Sequence, residues 1–388
     1  MTSAFAYLDH NAGAPAAPEV VRAMAEALAL GGNPSSVHRA GRLARRLVED
    51  ARAAVAEMVS VLPAEVLFTS GGTEANHLAL RGPVAAGSAN RLIISGVEHP
   101  SLMQPALGLG LAVEVLPVDG QGLVDLAALA ASLAAGGRPL VSVMLANNET
   151  GVIQPIAEMA RLVHAAGGLM HTDAAQAPGR IALDAGVLGV DLISLSAHKM
   201  GGPAGIGALV VRDGVPFATD RVGGGQEMGR RAGTENLAGI AGFGAAALGV
   251  PGRLASAGEV ARRRDALEAQ ARSLVPDVVI HGFGAPRLCN TTCLGVAGVA
   301  AETQVIALDL AGVLVSAGAA CSSGKVRPSP VLEAMGFGPE HAASAIRVSL
   351  GPKTDEGEIA RFLAAWSEFI LRLPSRVAAP SRRAFNHA

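Results

Sequence analysis

The chain has 388 residues, 50% of them hydrophobic, and a formal net charge of −2 from 31 basic and 33 acidic side chains. That length supports two or three domains with at least one large core. The balanced charge, with no basic run alternating with aromatics, argues against a nucleic-acid partner. Mean hydropathy is +0.38, yet each long apolar stretch is broken by Gly, Pro or a charge, so no membrane-spanning helix is expected. Met1 to His10 show no basic segment followed by an apolar one, so no secretory leader is expected. Cys289, Cys293 and Cys321 are too few for a disulfide framework and point to a reducing, cytoplasmic setting. Cys289 and Cys293 form C-x3-C with no second pair, so they are expected as buried small apolar residues and no metal is expected.

A helical pattern from Glu49 to Val59 precedes the first strand-like run, Val66-Leu67-Phe68-Thr69. Thr69-Ser70-Gly71-Gly72-Thr73-Glu74-Ala75-Asn76 then opens a helix. Glycines and a hydroxyl at a helix N-terminus make an anion cradle of exposed N–H groups and a positive dipole end. The same residues also suit an ordinary helix with Thr73 as N-cap. The strand-like run Leu92-Ile93-Ile94-Ser95 leads to Val97-Glu98-His99-Pro100-Ser101. His99 could stack on a ring and shuttle protons near neutral pH, or simply be a loop histidine.

Val113 to Leu116 and Leu140 to Leu145 are further strands, with a helical pattern from Leu123 to Ala135 between them. Asn147-Asn148-Glu149 follows the second, either as a turn or as a ligand contact. The helical pattern Ile156 to Ala166 leads to the run Leu169-Met170-His171 and then Thr172-Asp173-Ala174-Ala175-Gln176. The run Asp191 to Leu195 leads to Ser196-Ala197-His198-Lys199-Met200-Gly201-Gly202-Pro203. Lys199 is one of three lysines, with Lys325 and Lys353, against 28 arginines. An amine at a strand end can form a Schiff base, and a carboxylate upstream completes what pyridoxal phosphate (PLP) requires.

Gly207 to Val211 closes a series of strands alternating with helices, the pattern of a mostly parallel sheet covered on both faces. Ligands of such sheets bind beyond the carboxyl ends of the strands, where Asn148, Asp173 and Lys199 fall. Gly223 to Thr234 is a glycine-rich basic loop in which Arg and Thr could meet a phosphate, or else a surface linker. From about Gly252 the pattern shifts to α+β: a charged helix from Glu259 to Leu274, short strands at Val278 to Ile280 and Ala345 to Ser349, and a last helix from Thr354. Arg262-Arg263-Arg264 reads as a solvated helix face. Cys321 lies among Ser, Ala and Gly, as an exposed nucleophile would, in place of a periodic apolar run.

These segments together resemble the cysteine desulfurases, fold-type I PLP enzymes of the class V aminotransferase group. The resemblance is carried in order by Tyr7-Leu8-Asp9, Gly32 to His38, Thr69 to Asn76, Glu98-His99, Asn147-Asn148-Glu149, His171 to Gln176, Ser196 to Lys199, Arg231 to Thr234, Cys321 and Ser344 to Gly351. The fold it implies is α/β, with a large domain at 16–256 whose mostly parallel seven-stranded sheet is flanked by helices. A smaller α+β domain of 1–15 and 257–388 would carry the cysteine loop at about 316–330.

The resemblance implies that Lys199 binds PLP covalently, that Asp173 pairs with the ring nitrogen and that Gln176 contacts the ring oxygen. His99 would stack on the ring and move protons. Gly72, Thr73, Ser196 and His198 would hold the phosphate, and Thr234 would reach the phosphate of a neighbouring subunit, which implies a homodimer with shared sites. Asn148, also beside the cofactor, and Arg347 would hold the substrate carboxylate, a task suited to the guanidinium fork. The implied reaction converts L-cysteine to L-alanine and leaves sulfur on Cys321 as a persulfide, for an iron–sulfur assembly or tRNA thiolation acceptor or scaffold protein. The alternative is a selenocysteine lyase or another class V PLP-dependent lyase or transaminase. Two departures stand out. Ala12-Gly13-Ala14-Pro15 lacks the two hydroxyls of the family's Ala-Thr-Thr-Pro, and Lys325 and Arg327 stand where acidic or neutral residues are common.

Overall fold

The computed structural model describes residues 5–219, 221–318 and 328–373. Its main sheet has seven strands in the spatial order Val66–Thr69, Gly207–Val211, Leu192–Ser196, Leu169–Asp173, Pro139–Ser142, Arg91–Ser95 and Ala112–Leu116. Gly207–Val211 is antiparallel to both its neighbours, and the other pairings are parallel. The six co-directional strands therefore bring their carboxyl ends to one edge. The central strands are buried along their length, as a sheet covered on both faces demands.

One face packs Phe68, Ile93, Val141, Ile193 and Val210 under helices including Arg39–Met58 and Leu237–Leu248. The other packs Leu67, Leu92, Ile94, Leu140 and Leu209 under Gly72–Ala85 and Pro100–Leu107. Leu237–Ala255 is long and apolar enough to cross a membrane by length and composition, a stretch the sequence reading did not single out. Its glycines instead permit close helix contacts: a Cβ on Gly244 would come within 2.7 Å of Ala51, and one on Gly242 within 2.8 Å of Met24.

A second core gathers Leu8, Leu267, Leu294, Ile346, Phe362 and Trp366. It is built on an antiparallel sheet ordered Ser316–Ala317, Ala345–Ser349, Thr291–Gly295 and Val279–Ile280. Ala6–Tyr7 pairs with Val313–Leu314, which ties the start of the chain to this late segment. Phe362 and Trp366 stack at 6.0 Å, and the buried indole N–H donates to Gln304 Oε1 at 3.0 Å.

Several local expectations are corrected. The helix expected from Glu49 starts ten residues earlier, at Arg39, because its amphipathic stripe extends to Gly41 and Ala44. A further helix, opened by proline, spans Pro18–Leu30, where no helix was expected. The strand expected over Leu140 to Leu145 is assigned only at Pro139–Ser142, although Val143 N–H still donates to the His171 carbonyl and Leu145 N–H to that of Asp173. Arg264 is not part of a solvated face: it is 9% exposed and donates to the Leu288 carbonyl at 2.6 Å.

Candidate active site

Lys199 lies in the short 3-10 turn Ala197–Met200 that follows Leu192–Ser196 and is closed by Gly201 at φ 78°. A left-handed residue there is what lets the chain leave the sheet directly after the lysine. The ammonium donates to the carbonyls of Asn11 (2.7 Å) and Ala12 (3.0 Å). Burial is the main cause that lowers it to about 8; Arg347 and Arg180 add to the shift, while Asp9 and Asp173 oppose it.

Asp173 ends the adjacent parallel strand, pairing in register with Ser194. It is 9% exposed, and its carboxylate accepts from Asn76 Nδ2 at 2.8 Å and from the Ala175 N–H at 2.9 Å. The other end of the Asn76 amide, Oδ1, is buried with no hydrogen-bond partner among the described residues. His99 follows the strand Arg91–Ser95 and caps Pro100–Leu107, its Nδ1 accepting from the Ser101 N–H at 3.1 Å. Although part of the residue meets solvent, the surrounding protein pulls the imidazole below its ordinary range; Asp173 opposes this and Lys199 adds to it.

The glycine segment after Val66–Thr69 does not use Thr73 as its N-cap. Gly71 is the cap, Gly72 begins the helix Gly72–Ala85, and Thr73 is exposed in its first turn. This places the helix's free N–H groups beside Ser196: a Cβ on Gly72 would lie 3.3 Å from the Ser196 Cβ. Gly207, opposite both Thr69 and Ser196 in the sheet, permits that approach. A Cβ there would stand 2.6 Å from the Gly71 carbonyl carbon and from the Leu195 oxygen. Ser196 Oγ and His198 Nδ1 are 3.0 Å apart. Burial and then Lys199 lower His198 to about 4, so it is neutral near pH 7.

Arg347 reaches the same edge from the small sheet. It is 5% exposed, donates to Asp9 Oδ1 at 2.7 Å and to the Asn148 carbonyl at 3.2 Å, and its buried Nε has no partner among the described residues. Gln176 donates to the Asn11 carbonyl at 3.1 Å and accepts from Arg180. Thr234 is exposed, next to a cavity of about 180 Å³ shared with Ser70 of its own chain. In the basic loop, which was expected either to meet a phosphate or to be a surface linker, Arg231 is held on Glu74 at 3.0 Å. Cys321 lies outside the described residues, as do Lys325 and Arg327. Cys289 is only half-buried and borders a cavity of about 330 Å³ beside Lys199, so the expectation of a core thiol holds for Cys293 alone.

Sequence reasoning missed Asn11 and Asn76 as support for Lys199 and Asp173. Asn76 stands one helical turn after Thr73, a spacing that could have signalled a shared face. The Asn11 contact is made by its backbone, which carries no residue-type signal.

An amine, a carboxylate, a neutral imidazole and a helix N-terminus with serine beside it, all at one edge of an α/β sheet, fit PLP by the chemistry of the donor set. The chain belongs to the class-V aminotransferase family, whose profile matches residues 6–362. PLP is the cofactor of that family and of this chain. Similar proteins include a cysteine desulfurase of Cereibacter sphaeroides, 44% identical over 365 residues that span 92% of this chain and 93% of the relative. Among solved structures, a NifS-like protein from Rickettsia africae is 34% identical with a TM-score of 0.87, over 94% of this chain and 99% of its own. The structure titled SspA in complex with cysteine is 28% identical with a TM-score of 0.76, over 90% and 99% of the two chains.

Proposed function

We propose that this chain is a PLP-dependent cysteine desulfurase that converts L-cysteine to L-alanine and passes the sulfur to Cys321. The observation that carries the reading is the pair Lys199 and Asp173 on adjacent strand ends, in a chain 44% identical to a cysteine desulfurase. PLP, when bound, supplies an aldehyde for the substrate amine and a ring that takes up electrons.

The chain's own groups do the rest. Gly72, Thr73, Ser196 and His198 would hold the phosphate by N–H and hydroxyl donors, and Asp173, fixed by Asn76 and Ala175, would pair with the ring nitrogen. Gln176 would contact the ring oxygen. Arg347 and Asn148 bind the substrate carboxylate, a task suited to the guanidinium fork. Lys199, with its amine at about 8, has a substantial neutral fraction near pH 8 and removes the Cα proton. His99 would stack on the ring and move protons. The Cys321 thiolate attacks the substrate sulfur; an S–S bond forms as the C–S bond breaks, and alanine leaves after its Cβ takes up a proton.

Three finer features belong to the same reading. The enzyme works as a homodimer in which Thr234 completes the neighbour's phosphate site, and it acts in the cytoplasm. It hands persulfide to an acceptor or scaffold protein serving iron–sulfur or tRNA thiolation chemistry. We divide the chain into a large domain at 16–256 and a small one at 1–15 with 257–388. The test is release of sulfide and alanine from L-cysteine with reductant, comparing the wild type with Cys321→Ala and Lys199→Ala. Equimolar products, lost in both variants while Cys321→Ala still binds PLP, are expected; no turnover by PLP-loaded wild type would overturn the reading.

A further inference from the structure

Glu149 is a buried carboxyl with no part in the chemistry above. It is 5% exposed, and its backbone is fixed: Asn147 Oδ1 accepts from the N–H groups of Glu149 and Thr150, each at 2.9 Å, while Asn147 Nδ2 donates to the Val97 carbonyl at 3.1 Å. Its side chain crosses to the small sheet. Oε2 accepts from Ser329 Oγ at 2.6 Å. The same oxygen fills space that Gly318 leaves free, since a Cβ on Gly318 would come within 3.1 Å of it.

Gly318 and Ser329 bracket the part of the chain that contains Cys321. Both are tied to the small domain, Gly318 N–H donating to the Ala345 carbonyl and Ser329 N–H to that of Ala342, each at 2.9 Å. One carboxyl oxygen thus bonds one root of the Cys321 segment, Ser329, and lies in the space beside the other, Gly318. On its other side, Glu149 follows Asn148, whose carbonyl accepts from Arg347 at 3.2 Å and from Asn11 Nδ2 at 3.1 Å. A side chain held this rigidly ties the place where substrate carboxylate binds to the place where the sulfur acceptor is rooted.

We infer that Glu149 is a positioning residue for sulfur transfer, setting the roots of the Cys321 segment at Gly318 and Ser329 against the substrate site at Asn148 and Arg347. This rests on Cys321 being the sulfur acceptor. Burial supports it, because a carboxyl is costly to hide without a task; burial pushes Glu149 up to about 7, against the opposing effects of Ser329 and Arg347.

The test uses PLP-loaded enzyme with Glu149→Ala, Glu149→Gln, Ser329→Ala and wild type. Three quantities are read: the cysteine-induced change in cofactor absorbance, the persulfide on Cys321 in one turnover without reductant (by alkylation and peptide mass), and the rate of Cys321 alkylation by iodoacetamide in cysteine-free protein. Misplacing a reacting atom by about 1 Å costs up to about 100-fold, so Glu149→Ala and Ser329→Ala should form persulfide at least about tenfold more slowly. Their absorbance change should stay within about twofold of wild type, and their Cys321 alkylation rate should shift. Glu149→Gln keeps an oxygen acceptor for Ser329 and should recover to within about threefold. Ser329→Ala loses only one helix cap besides, since Oγ also accepts from the Leu332 N–H, so folding survives. Wild-type persulfide rates in both alanine variants, or equal loss in both kinetic phases, would overturn the inference. Absence of persulfide on wild-type Cys321 would overturn the desulfurase reading itself, and this inference with it.

Discussion

Glu98 should make the stability of this protein fall as pH rises through neutrality. It is 5% exposed; Oε1 accepts from Ser95 Oγ at 2.5 Å and the Met144 N–H at 2.9 Å, and Oε2 is buried with no partner among the described residues. Burial is the largest cause that lifts its carboxyl from 4.5 to about 8; the Ser95 and Met144 bonds oppose it and Asp173 adds to it. Below pH 4.5 the group is protonated in both folded and unfolded chains, and its stabilising difference is fully present. Between 4.5 and 8 only the unfolded chain ionises, so stability drops by about 1.4 kcal/mol per pH unit. Above 8 the loss is complete.

Glu98→Gln is the perturbation that isolates this effect. A neutral amide of the same shape carries no slope, and any cost of its NH₂ in that buried position is the same at every pH. From pH 5 to pH 8 the variant should therefore gain about 4 kcal/mol relative to wild type. For a chain of this length about 1 °C of Tm corresponds to each kcal/mol, so the Tm difference should grow by roughly 4–5 °C. Thermal melts of both proteins with saturating PLP at pH 5, 6, 7 and 8 read it directly. A Tm difference that stays constant, or shrinks with pH, would refute a neutral Glu98 in the folded chain.

Two other substitutions probe the framework of the site. Glu227 accepts from Arg52 at 2.7 and 3.0 Å and from the Phe68 N–H at 2.8 Å, all buried, so Glu227→Ala leaves the guanidinium with only the Val66 carbonyl and the exposed Glu49 carboxylate and should cost about 3 kcal/mol, read as a lowered denaturation midpoint; an unchanged midpoint would contradict it. Gly207→Ala places a methyl against the Gly71 and Leu195 backbones, an overpacking of about 1–3 kcal/mol that should weaken PLP binding about 5- to 100-fold. Absorbance titration of the apoprotein checks this, and wild-type affinity would show that the glycine segment does not depend on that contact.

The sequence by itself determined which residues could do chemistry and in what order the strands carrying them occur. Apolar runs buried on both faces are continuous and β-rich, and a ligand group placed directly after such a run must land at a strand's carboxyl end; Asp173 and Lys199 were legible for that reason. Residue type also made Cys321 visible, since a thiol among glycines and serines is locally anomalous, whereas Arg347 was reached only through the family resemblance. Contacts between parts of the chain far apart in sequence became visible only once the chain was folded. The Asn11 carbonyl meets Lys199 across 188 positions, Asn76 meets Asp173 across 97, and Ser329 meets Glu149 across 180. Such contacts leave no period in the chain. They follow from where the packed cores set the backbone, and a main-chain carbonyl or a missing Cβ, as at Asn11 or Gly207, contributes through its position alone.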